Sequence, residues 1–178
     1  MVLFSRQCDA SRPAFSHPSP HGQDPLQTLI IDKLQADLRI AKDALRASHE
    51  AATHAESKAE NKYDTRGLEA AYLADGQRRR VEEIEAALAS YRNLPVRDLT
   101  DEPIRLGGLV SIELGGSCRW VFLGPDAAGL SVTMGQTEVL VISPHAPLGR
   151  ALLGCREGDE GELRVEGRPQ PYCVLTIC

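Results

Sequence analysis

Residues 31–52, IDKLQADLRIAKDALRASHEAA, and residues 70–91, AAYLADGQRRRVEEIEAALASY, decide the fold. In the first, Ile31, Leu34, Leu38, Ala41, Leu45, Ser48 and Ala52 fall at alternating steps of three and four. In the second, Ala70, Ala74, Gln77, Val81, Ile84, Leu88 and Tyr91 do the same. Such steps hold one face of each helix toward a partner, as in the seam of a coiled coil. Between them, Glu56-Ser57-Lys58-Ala59-Glu60-Asn61-Lys62-Tyr63-Asp64 carries no apolar stripe. Two matched stripes with a polar break read as an antiparallel hairpin within one chain, because a continuous dimeric rod needs no break at its midpoint. At about 1.5 Å per residue, each arm of about 27 residues reaches roughly 40 Å. The seam supplies the cohesion, so the apex is left to carry chemistry.

Outward from the hairpin, Asp24 and Pro25 make a helix start: Asp caps free N–H groups and Pro tolerates the first turn. Gly67 and Gly76 weaken the second arm, by roughly 1 kcal/mol each relative to Ala. Pro95 closes it, and Pro103 ends a short linker. From Ile104 the period changes to two. Leu109–Leu114, Trp120–Leu123, Val139–Ile142, Glu162–Val165 and Tyr172–Ile177 read as strands, with Gly115-Gly116 as a hairpin turn. Pro147–Gly154 reads as a short helix bounded by Pro and Gly. The expected class is α+β: a helical hairpin, then a small antiparallel sheet domain with one helix. Its expected divisions are a disordered leader over 1–25, the coiled-coil hairpin over 26–94, a linker over 95–103 and the sheet domain over 104–178.

Composition agrees. Aromatics are only 4% of 178 residues, which suits a thin Leu/Ala seam beside a small core. The formal net charge of −5 argues against general binding to nucleic-acid backbones. Cys8, Cys118, Cys155, Cys173 and Cys178 form no CxxC pair, so neither a zinc site nor a thioredoxin-type motif is supported, and free thiols in a reducing cytosol are expected. The Pro-, Ser- and His-bearing first 25 residues carry no apolar run for a secretory signal or membrane span. A soluble cytoplasmic protein is expected.

His49-Glu50-Ala51-Ala52-Thr53-His54 is not the zinc-protease HExxH, because five residues rotate the histidines by about 140° to different faces. Arg78-Arg79-Arg80 reads first as a solvated helix face, with an acidic lip on a partner as the functional alternative. His145 stands alone in a loop and makes no nucleophilic set. The carboxylates Glu56, Glu60 and Asp64 at the apex are either solubilising charges or oxygen ligands for a hard cation. Mg²⁺ keeps several waters and takes one or two protein carboxylates while another molecule supplies the rest.

Two stretches resemble the bacterial GreA/GreB transcription elongation factor family. Val141-Ile142-Ser143-Pro144-His145-Ala146-Pro147-Leu148-Gly149-Arg150-Ala151-Leu152-Leu153-Gly154, continued by Glu157-Gly158-Asp159-Glu160, is similar to the signature of that family's FKBP-like C-terminal domain. Glu60-Asn61-Lys62-Tyr63 resembles its acidic hairpin tip, D-x-x-E-N-A-E-Y. With the arms, the resemblance spans about residues 26–178. It implies a factor that binds RNA polymerase through the C-terminal domain and inserts the hairpin into the secondary channel. There the tip would help hold a Mg²⁺ shared with the polymerase, whose own activity cleaves backtracked RNA. The factor would not be an enzyme itself, and it would touch the nascent RNA 3′ end only indirectly. Carried onto this chain, the resemblance names Glu60 and Glu56 as catalytic carboxylates, Glu60 and Asp64 as Mg²⁺-directed, and Ser143, Pro144, Pro147, Leu148 and Arg150 as polymerase-contacting. Pro144 and Pro147 would fix the loop; Leu148, Leu152 and Leu153 read equally as core residues, and the core reading is preferred.

The tip departs from the family pattern. Aligning Glu60-Asn61 places Ser57 at the first Asp, whereas aligning Tyr63 places Glu56 there and Ala59 at the Glu. One residue is missing between Asn61 and Tyr63, so a second reading stays open: a channel-binding regulator without cleavage stimulation. Two further classes remain in view. A prolyl isomerase would need an aromatic-lined pocket from Trp120, Phe122 and Tyr172, and a coiled-coil adaptor would be dimeric where the hairpin is a monomer.

Overall fold

The computed structural model describes residues 25–57, 66–95, 99, 101–165 and 167–178. Two long helices come first, α1 (Pro25–Ser57) and α2 (Arg66–Arg92). Six strands and a short helix follow: β1 (Leu109–Leu114), β2 (Ser117–Leu123), β3 (Ser131–Met134), β4 (Thr137–Ile142), α3 (Pro147–Leu152), β5 (Glu160–Val165) and β6 (Arg168–Ile177). The chain divides into two compact units. One is Ile30–Arg92; the other joins the described residues up to Leu29 with Asn93–Cys178.

In the first unit α1 and α2 form the expected helical hairpin. Ile31, Leu34, Ala41 and Ser48 on α1, and Ala74, Val81, Ile84, Leu88 and Tyr91 on α2, are buried at the seam positions that the period selects. Leu38, Leu45, Ala52, Ala70 and Gln77 are half-buried. Across the helices, Lys42 Nζ lies 2.7 Å from Glu85 Oε1. The seam is uneven along its length. Tyr91, Leu88, Ile84 and Leu34 fill it near one end, while Ala41, Ser48 and Ala74 line the half nearer the apex. Ser48 remains satisfied there because its Oγ donates to Ala44 O at 2.9 Å. Smaller side chains bury less apolar area, at about 25 cal/mol per Å², so the distal half is the less cohesive one.

In the second unit the sheet runs β3-β4-β2-β1-β6-β5. Gly115 and Gly116, both with positive φ, close the two-residue turn between Leu114 and Ser117, a conformation open to Gly at little cost. The pairs β1–β2, β1–β6 and β5–β6 are antiparallel as expected, and β3–β4 is antiparallel as well. Between β2 and β4 the pairing is parallel, Trp120 opposite Val139 through Leu123 opposite Ile142, so the sheet is mixed rather than wholly antiparallel. The difference comes from β3, a four-residue edge strand with no reading in the sequence analysis. It turns the chain back so that β4 re-enters the sheet in the direction of β2. Pro169 and Pro171 lie in the part of β6 beyond the last β1 pair, Leu114 with Tyr172, so their missing N–H groups break no β1 ladder.

The core lies on one face of this sheet. Val110, Ile112, Val121, Leu123, Ile142, Tyr172, Val174 and Ile177 gather there with Leu152 of α3, and Leu99 and Ile104 join them. Leu109, Ser111, Trp120, Phe122, Val139 and Val141 alternate onto the other face and are also buried. Cys155 and Cys173 carry free thiols, as expected. Cys118 does not, because it is disulfide-bonded; the expectation of free thiols throughout fails at that position.

Candidate functional site

The loop entering α3 is built from the SPxxPLGR sequence one contact at a time. After β4 ends at Ile142, Ser143 O accepts from Ala146 N at 3.0 Å, and Ser143 Oγ accepts from His145 N at 3.1 Å. Pro147 occupies the first turn of α3, where its missing N–H has no helical bond to lose. Gly149 follows because nothing larger fits: a Cβ there would overlap the Ser143 carbonyl and stand 3.0 Å from Pro144 Cα. Arg150 closes the turn, with Nε donating to His145 O at 2.8 Å. The signature is therefore a packed loop–helix corner, and each of its unusual residues has a local steric or hydrogen-bonding reason.

Beneath the corner, the Tyr172 hydroxyl donates to Ala151 O at 3.0 Å, as does Cys155 Sγ at 3.1 Å. Burial, and then the Cys155 thiol beside it, raise the Tyr172 phenol above its ordinary range. Gly161 leaves room for that ring, since a Cβ would come within 2.5 Å of the phenol oxygen. On the neighbouring stretch of β6, burial raises the Cys173 thiol, assisted by Glu160 and Glu113.

Of the residues assigned to partner contact, Pro147 and Arg150 are exposed, while Ser143, Pro144 and Leu148 are half-buried. Leu148 packs on the core and Leu152 is within it, as the core reading expects, but Leu153 is 42% exposed and is not a core residue. The three candidate isomerase aromatics do not line one pocket. Trp120 pairs with Ser111, and Tyr172 pairs with Leu114 on the same strand; positions of opposite parity send their side chains to opposite faces.

Of the apex carboxylates, Glu60 and Asp64 lie outside the described residues, and Glu56 falls in the last turns of α1 with only its backbone described. Among the described residues no group of three or more His, Cys, Asp or Glu could hold a metal ion. Arg78, Arg79 and Arg80 are exposed and paired with carboxylates of their own helix. Arg78 lies 2.7 Å from Asp75 and 2.6 Å from Glu82, Arg79 lies 2.8 Å from Asp75, and Arg80 lies 3.5 Å from Glu83. The hydrogen bond from Arg78 and the charge of Arg79 hold the Asp75 carboxyl below its ordinary range. What the seam pattern did not register is a set of large apolar residues off the seam on α2: Leu68, Tyr72 and Leu73. Their signal in the sequence is their size at positions outside the seam period.

A helical hairpin followed by a six-stranded mixed sheet with a Pro-started α3 defines the fold class, α+β. Its family follows from sequence. The transcription elongation factor GreA of Nitratidesulfovibrio vulgaris is 31% identical over 140 residues, covering 76% of this chain and 82% of that protein. The transcription elongation factor GreA of Hyphomonas neptunium is 26% identical over 152 residues, covering 81% and 90%. The chain belongs to the GreA transcription elongation factor family. No family model matches it. Among solved structures it aligns with the GreA factor homolog 1 protein of Thermus thermophilus at 21% identity, covering 83% of this chain and 94% of that one with a TM-score of 0.33.

Proposed function

We propose that this chain binds RNA polymerase and acts within the secondary channel, the hairpin entering so that the apex reaches the active centre. The observation that carries this reading is the 31% identity to a GreA factor together with arms of 33 and 27 residues, about 50 and 40 Å of helix. Glu60, with Glu56 or Asp64 as a second carboxylate, would offer the hard oxygen ligands that suit Mg²⁺. That ion, shared with the polymerase, supplies activation of the attacking water. The chain's own part is to deliver negative oxygens to a place only a long probe reaches; the hydrolysis belongs to the polymerase. The corner from Ser143 to Arg150 is the polymerase contact of the second unit, and the nascent RNA 3′ end is met only indirectly. No described helix is long and apolar enough to cross a membrane, and the working place of such a factor is the cytoplasm.

The test is cleavage of backtracked RNA in stalled polymerase complexes, with the wild-type chain beside Glu60→Ala. Stimulation that falls by about a hundredfold in the variant, with binding kept, is the expected result; removing one ligand of a reacting group costs on the order of 2.7–4 kcal/mol. A second reading rests on Ser57, which stands where the family pattern has its first Asp when Glu60-Asn61 is aligned. Under it the wild type occupies the channel and stimulates no cleavage. Binding without stimulation in the same assay selects that reading; no binding at all overturns both.

A further inference from the structure

We draw no further inference here: the strongest candidate, the exposed surface patch of Leu68 and Tyr72 one turn apart on α2, is an apolar helix face, and nothing in the structure shows what covers it.

Discussion

Single residues at the α3 corner do work that their types alone do not announce. Gly149 sits against the Ser143 carbonyl, so Gly149→Ala must push the loop and helix apart. A loss of about 2 kcal/mol or more is expected, read as a lower melting temperature, with Gly154→Ala as a contrast whose Cβ meets nothing but whose φ of +82° is strained. The raised Tyr172 and Cys173 groups give a pH dependence. Both are held protonated in the folded chain beyond their ordinary ranges, so the stability they contribute is complete below those ranges. It is lost as pH rises through the folded-state values, first for the thiol above about pH 9 and then for the phenol above about pH 10. Denaturation titrations from pH 7 to 11 should show this alkaline fall, and Tyr172→Phe with Cys173→Ser should flatten it. The motif SPxxPLGR was fully legible as a string. Its reason, a glycine beneath one carbonyl and an arginine Nε on another, was not, because both contacts depend on how the loop folds back.

Among the elements, α2 is the one its sequence under-supports. Gly76 lies inside it with no atom near the place a Cβ would occupy. Gly76→Ala should therefore raise hairpin stability by about 1 kcal/mol, the difference in helix propensity, visible as a higher urea midpoint at unchanged slope. The ion pairs along α2 will not substitute for that gain, since exposed pairs contribute little each. Helix periods were readable because three-four spacing is a property of adjacent residues, and every seam residue named from the period is buried or half-buried. Strand β3 was not, for Ser131–Met134 is four residues with one buried side chain, too short for alternation to register.

For the whole molecule, the seam closes within one chain, with Lys42 facing Glu85 across the two helices. A mass of 19.4 kDa by sedimentation equilibrium is the expected outcome, and a stable dimer would return the adaptor reading to contention. By itself the sequence determined the hairpin, the Gly115-Gly116 turn, the Pro-started helix and the family, because each is written in spacing along the chain. Only the tertiary structure decided the parallel β2–β4 pairing, the separation of Trp120 and Phe122 from Tyr172 across the sheet, the exposure of Leu153 and the bonding of Cys118. Those depend on which distant segments meet. A local pattern fixes which face of an element is apolar, but the energy of packing fixes what that face is set against.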